Sequence, residues 1–597
     1  MILAFLSAAL ATPSPLHPAV PLLDAQEQPV AESLAPVSPM QTCGACHDTD
    51  YIAAHGYHTE AGLDDCLFER LRRATGARHV GGGSRAATVE LDCFLCHLDG
   101  ADVTARRATL AAGQPAWAAT ATLANTGLVE PAEGDTWRWR EDTITETAAA
   151  SIARLPLQTP TAEACGACHG AVWTSPEPLQ LDLSAACSSS TGQVFSGQRI
   201  SDSALPLAGK EDLTRPWDVH AEHLLDCAAC HPAPNDPTFF FEPRARRPAH
   251  LRFDARRPAI GDFLERPSHQ LAKGRSVQAH VADSLDDSMR RCEDCHDATR
   301  EHAWLPRRGA HLKSLACEAC HVPRVYAPAR ESLDWTLPTP EGQPRQRWRG
   351  VQGDPEAPDA LFTGFEPLLL FREDPTGPRL YPTNLTTVWF WVQGEDGAQV
   401  DPSVVASVAA PAGAWDPALL AMLDADHDGA ISDDEAALTD PEAVRWLQSA
   451  LTAAGVPSPR VQGELRPFGL HHGVVGGPWA TRTCDTCHVN GVSQLHRSVA
   501  LMRHAPAGAP LSLERLDGLS LPGAIERRDD GAIVYTTTGH DLGLYLPGGG
   551  SEGWVDRLGF LALLGALAGA AGHGGLRFLF RRRETRGRAE PVERRES

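Results

Sequence analysis

The stretch TAEACGACHGAVW, residues 161–173, puts Cys165, Cys168 and His169 in the order Cys-x-x-Cys-His. One such run fits a zinc clip or a redox dithiol, so its meaning depends on whether it stands alone. It does not. The same order recurs at Cys43, Cys46, His47, at Cys93, Cys96, His97 and at Cys227, Cys230, His231. It continues at Cys292, Cys295, His296, at Cys317, Cys320, His321 and at Cys484, Cys487, His488. Seven copies take fourteen of the sixteen cysteines. Random placement of the same cysteines and histidines would give roughly 0.02 copies, so the pattern serves a chemistry.

The residue types state that chemistry. On a helical turn the two cysteines and the histidine lie on one face. Two thiols there can add to the two vinyl groups of a haem while the imidazole binds the iron, its other ring nitrogen held by an acceptor. Zinc sites need paired sets at finger-like separations and no histidine directly after each second cysteine. Here the intervals are 50, 72, 62, 65, 25 and 167 residues, and the histidine is never missing. The motifs therefore read as sites for seven covalently bound haem c groups. Through them, over residues 43–488, the chain resembles the multihaem c-type cytochromes.

Six motifs fall within residues 40–330, about 46 residues per haem between residues 43 and 321, so much of the apolar core would be porphyrin. The expected fold is mainly α-helical or irregular, short helices and long loops wrapped on haems. Ahead of it, residues 1–11 read as a weak signal peptide, an apolar run ending in Ala-x-Ala at Ala9 and Ala11 without a preceding Lys or Arg. Residues 12–39, rich in Pro and Ala, read as a linker. Cys66 and Cys187 belong to no motif. In an oxidising compartment they read as a disulfide or as two buried thiols.

Residues 331–465 lack the motif and read as an inserted α+β module. TVWFWVQGEDGAQV, residues 387–400, alternates like a strand and breaks at a Glu-Asp-Gly turn. DADHDGAISDDE, residues 424–435, matches the EF-hand loop. Asp424, Asp426, Asp428, Ala430, Ser432 and Glu435 would be the ligand positions for Ca²⁺, with Gly429 at the sharp turn. PALLAML before the loop and AVRWLQSALTAAG after it read as helices. The seventh haem region follows at 466–505, then a linker with a hairpin around ERRDDGAIVYTT at 506–552.

Eighteen histidines remain after the seven in the motifs, more than one sixth ligand per haem. The candidates are His55, His58, His79, His220, His250, His269, His302, His311 and His472. As a set they favour bis-histidine, low-spin iron, which moves electrons; an iron with an open position can bind a substrate. The chain has only three lysines, Lys210, Lys273 and Lys313, and no Cys-x-x-Cys-Lys. Lysine-ligated active sites like those of multihaem nitrite and tetrathionate reductases are thus unsupported.

A mostly apolar run from Leu558 to Leu576 is long enough to cross a membrane. The expected transmembrane helix spans 553–580, and residues 581–597 form a basic tail; from Arg577 onward there are eight Arg against four Glu. Positive residues stay cytoplasmic, so the haem-bearing part lies on the periplasmic or extracellular side of the cytoplasmic membrane, held by a single pass. His573 shares a helix face with Gly565 and Gly569, either as a contact to a cofactor in a partner or as an interfacial residue beside Arg577. The net charge is −23, and the first 576 residues carry −27 of it, which argues against nucleic acid.

The chain resembles the membrane-anchored multihaem cytochromes of bacterial respiratory complexes. That resemblance implies an electron-transfer subunit working between a quinone-linked membrane partner, such as a b-type cytochrome, and a soluble or extracellular redox partner. The alternative is a multihaem oxidoreductase acting on a small nitrogen or sulfur compound at one five-coordinate haem.

Overall fold

RLYPTNLTTVWFWVQ, residues 379–393, is dense in β-branched and aromatic residues and forms the longest strand of the protein's described residues. It is the centre of an eight-stranded sheet in the computed structural model. That model describes residues 17, 20–60, 79–82, 89–144, 155–169, 171–181, 183, 190–234, 236, 260–274, 282–340, 342–373, 377–489, 494–495, 497–513, 519–537, 541–544 and 553–587. The sheet strands are β1 (Ala329–Asp334), β2 (Arg345–Arg349), β3 (Leu368–Arg372), β4 (Arg379–Gln393), β5 (Ala398–Gln399), β6 (Arg460–Gly469), β7 (Leu511–Leu513) and β8 (Leu519–Ser520). Their order is β7-β6-β4-β1-β2, with β5 on β4 and β3 between β4 and β8.

β4 pairs antiparallel with β6 from Thr383 opposite Gly469 to Val392 opposite Arg460, and parallel with β1 at Thr387 to Trp389. The expected alternation gives way to burial on both faces: Val388, Trp389, Phe390, Trp391 and Val392 are all buried. The Trp389 ring lies over Gly463, where a Cβ would come within 2.5 Å of it, so only glycine admits this ring. The Glu-Asp-Gly turn is present and brings Val392 opposite Gln399.

Three helices follow: α1 (Pro402–Ala409), α2 (Pro417–Leu423) and α3 (Pro441–Ala453). Each starts with an Asp-Pro pair. Asp401, Asp416 and Asp440 accept backbone N–H groups of the first turn, and the proline takes a position whose N–H has no helical partner.

The chain divides into two compact units, one of residues 1–482, 500–521 and 526–534, the other of residues 483–499, 522–525 and 535–597. Three of the expected boundaries do not coincide with it. The sheet is no separable insertion, because it shares a unit with the cysteine-rich segment. Arg379 pairs with Glu293 at 2.9 Å, Asn384 donates to the Ser190 carbonyl at 2.7 Å, and Ala316 N–H bonds to Leu380 O. The linker expected at 12–39 is packed from residue 20 on, with Leu22, Val30 and Val37 in one core with Phe94, Leu123 and Trp139. The linker expected at 506–552 contributes β7 and β8 to the sheet. Its hairpin turn is present, closed by Arg528 N–H on Ala532 O at 2.8 Å.

In the second unit one helix runs from Gly553 to Gly587, seven residues beyond the expected end at 580. Residues 557–583 of it are long and apolar enough to cross a membrane, with mean hydropathy 1.4 and none of that window buried. The tail beyond 587, the signal segment 1–11, Cys66, Cys187 and His250 lie outside the described residues.

Candidate functional site

Each cysteine motif folds as one turn. The N–H of His47, His97, His231, His296 and His488 bonds to the carbonyl of the first cysteine four residues back, at 2.8 to 3.1 Å. Asp226 caps its motif by accepting Cys227 N–H, and Asp294 accepts Arg291 N–H. Ahead of the second motif, Asp92 is held by a fully buried ion pair with Arg106 at 3.0 Å and by the Thr122 hydroxyl. These local bonds put two thiols and an imidazole on one side of each turn.

The motif imidazoles are oriented from far along the chain. Nδ1 donates to Leu264 O in His47 (2.7 Å), to Gln158 O in His97 (3.0 Å), to Ala272 O in His231 (2.8 Å) and to Val475 O in His321 (2.8 Å). A carbonyl can only accept, so the proton is on Nδ1 and Nε2 offers its lone pair. Burial holds His97 down to about 4 and lowers His169, His231 and His321, so these rings are neutral near pH 7.

Four of the motif rings face a second histidine. The ring centres of His169 and His58 are 6.0 Å apart, those of His97 and His269 5.9 Å, those of His321 and His302 5.9 Å, and those of His296 and His220 6.3 Å. An ion bound by both Nε2 atoms at about 2.0–2.1 Å, with each ring centre about 1.1 Å behind its nitrogen, sets the centres about 6.2 Å apart. The centre-to-centre spacing of each pair, 5.9 to 6.3 Å, is close to that figure. His269 and His302 also donate Nδ1 to a carbonyl, of Pro267 and Ala298, leaving Nε2 available. His58 is pressed to about 4 by burial and then by His169. His220 is the exception: its bond to Asp218 raises it.

The other candidates separate. His79 has its Nε2 3.0 Å from Thr59 O, and its Nδ1 accepts Gly81 N–H, so both nitrogens are engaged in loop structure. His55 stacks on Tyr51 and bonds to Tyr51 O, and His311 bonds to Arg307 O, each within its own helix. His472 packs edge-on to Phe195, and its backbone N–H donates to the Gln193 side-chain carbonyl. A residue that sequence reasoning missed is His17, in the supposed linker. Among the described residues its buried Nδ1 has no hydrogen-bond partner, and burial and then neighbouring His47 lower its pKa. Nothing in its sequence context separates it from a surface histidine.

The thiols place successive motifs side by side. The free thiols of Cys43 and Cys93, of Cys165 and Cys227, and of Cys292 and Cys317 are within hydrogen-bonding reach; the hydrogen bond, then burial, pushes the Cys93, Cys227 and Cys292 thiols up. Cys96, driven to about 12 by burial, feels Cys165 and Cys168, and Cys230 feels Cys295. The first six motifs thus follow one another in space in chain order.

In the acidic loop, Asp424, Asp426 and Asp428 each bring an oxygen within 4.8 Å of the others. Gly429 turns the chain at φ +85° and its N–H reaches Asp424. The Glu435 carboxylate folds back over the loop, accepting N–H groups of Ala425 (2.8 Å), Asp426 (3.2 Å) and Ser432 (2.9 Å), which hold its pKa near 2. Arg345 and Arg347 of β2 pair with Asp433 and Asp434 and tie the loop to the sheet. α2 ends at Leu423, directly before the loop, but α3 starts only at Pro441. The exit helix is therefore set back from the usual EF-hand position, where the Asp440-Pro441 pair starts it.

No known protein family and no curated protein matches the chain. Among solved structures it is similar to an octahaem cytochrome c from Shewanella oneidensis, at 13% identity and a TM-score of 0.32, over 69% of this chain and 77% of that one.

Proposed function

We propose that this protein is an extracytoplasmic heptahaem c-type cytochrome, anchored by its C-terminal helix, that passes electrons between a quinone-linked membrane partner and a periplasmic or extracellular redox partner. The observation that carries the reading is the four histidine pairs, each opened to the width of a bis-imidazole iron, beside turns that carry two thiols. The cysteines and motif histidines would hold the porphyrins and His58, His220, His269 and His302 would be sixth ligands. Each bound haem supplies a one-electron Fe(III)/Fe(II) couple. The protein's part is to fix imidazole tautomers, exclude water and space the irons. The side-by-side thiols support a path that runs from the first motif to the sixth. Ca²⁺ in the 424–435 loop would brace the sheet through Arg345 and Arg347.

The second reading, a catalytic haem reacting with a small nitrogen or sulfur compound, is favoured by one observation, an arginine-lined cavity beside His472. EPR of the oxidised protein, with CO added to the reduced form, decides between them after haem has been counted chemically. The electron-transfer reading expects seven haems per chain, all low-spin and inert to CO. One high-spin haem that takes CO would transfer the case to the enzyme, and absence of covalent haem would end both.

A further inference from the structure

Asp218 is a carboxylate shared by two of the histidine pairs. Its side chain is 1% exposed. Oδ1 accepts the N–H groups of His220 (2.7 Å) and Ala221 (3.4 Å), at the start of the short helix Val219–Glu222, and lies 3.4 Å from His220 Nδ1. Oδ2 accepts the N–H groups of Gly473 (2.7 Å) and Val474 (3.0 Å). The next residue, Val475, donates its N–H to His321 O and accepts the Nδ1 proton of His321. One carboxylate thus touches the imidazole that faces His296 and holds the segment that orients His321.

The contact sets His220 apart from the other second rings. His269 and His302 donate Nδ1 to the neutral carbonyls of Pro267 and Ala298. Among the described residues, His220 is the one ring of the four pairs with a carboxylate as its ion-pair partner. A second carboxylate that acts on a paired ring, Glu318 near His321, is instead bonded to His471 at 3.0 Å and faced by Arg372.

Burial opposes the charge of Asp218, but the bonds from His220 and Val474 outweigh it and hold the carboxyl below its usual range, so it is an anion at neutral pH. Arg215 also feels this charge, but it points Nη1 at the Pro216 and Trp217 carbonyls and, among the described residues, makes no ion pair with Asp218. A carboxylate beside the second nitrogen of an iron-bound imidazole makes that ring a stronger donor. Its buried charge, little screened by solvent, also favours Fe(III), which carries one positive charge more than Fe(II).

We infer that Asp218 is a positioning residue that keeps Nδ1 of His220 on its carboxylate, leaves Nε2 for the iron shared with His296, and makes that haem the lowest in potential of the four histidine-paired haems. This deepens the function proposed above and rests on it, since it needs haem at the fifth motif.

The test uses the full-length protein in detergent, its covalent haem counted first, and follows each low-spin EPR signal through a redox titration. H58A, H220A, H269A and H302A assign the signals, because the haem that loses its second histidine leaves the low-spin set. In the wild type the signal assigned to His220 should be the last of the four to be reduced. D218N should raise its potential by about 59 mV or more, a tenfold shift in a one-electron equilibrium, with the signal still low-spin, and D218E, which keeps the charge, should raise it less. A merely structural role gives a different pattern: loosening at 473–475 moves the His302–His321 haem as much, and D218E does the same harm as D218N. The wild-type ranking needs no variant at position 218, which keeps the test sound if D218N does not fold. A His220 signal that is not the lowest, a potential unchanged in D218N, or an equal shift at the His302–His321 haem overturns the proposal and leaves the haem reading standing. Absence of covalent haem overturns both.

Discussion

Between residues 329 and 469 the structure has a fifteen-residue strand, and it buries Trp389, Phe390 and Trp391 completely. Between residues 20 and 321 no described helix exceeds nine residues, and most have four to seven. Isolated helices that short are unstable in water, because nucleation costs more than one turn of hydrogen bonds returns. The first region stands on ordinary side-chain burial. The second pairs imidazoles edge to face, with ring centres about 6 Å apart. Both regions have side-chain cores, so the contrast lies in helix length and in the paired histidines of the second.

The largest effect that would break the comparison is expected from withholding haem. When the chain is produced without cytochrome c maturation, hydrogen exchange should show the described segments of residues 20–321 losing protection about a hundredfold or more, while β4 and β6 keep theirs. Equal loss in both regions would mean that the sheet is as dependent on the prosthetic groups as the helices are.

A smaller effect sharpens the other half. Trp389→Ala removes a fully buried ring from the centre of the sheet and should cost about 3–5 kcal/mol in urea unfolding monitored on the sheet. The Soret spectrum of the folded protein should stay the same. A changed spectrum would show that the sheet sets haem geometry.

The smallest effect is expected from calcium. With free Ca²⁺ at a hundredfold over Kd, chelation should cost about 2.7 kcal/mol of sheet stability. D426N should be insensitive to chelation. A wild type unaffected by chelation would remove Ca²⁺ from the description.

What the sequence revealed follows the reach of each interaction. The seven motifs are legible because their chemistry needs thiols and imidazole at fixed spacing on one turn. The Asp-Pro helix starts and the Glu-Asp-Gly turn are legible for the same local reason. The partners of the motif histidines are not, since His97 meets His269 only through the fold. His79 looked as good a ligand as His58, and what separates them is the Thr59 carbonyl and the Gly81 N–H. The Pro- and Ala-rich start looked like a linker because composition does not say that Leu22, Val30 and Val37 have a core to enter.

The histidine pairs also have a topology. Joined through iron, His58 to His169, His97 to His269 and His220 to His296 would each close a loop, and the loops interlace: residue 97 lies inside the first, and residue 220 inside the second. Cross-links of such span remove about 3–5 kcal/mol each of unfolded-chain freedom in the chain-entropy account. Interlaced loops cannot open one at a time without straining the next, so residues 58 to 296 would behave as one tied bundle. Among the four pairs described, that of His302 and His321 would close a short loop outside it and could be undone by itself.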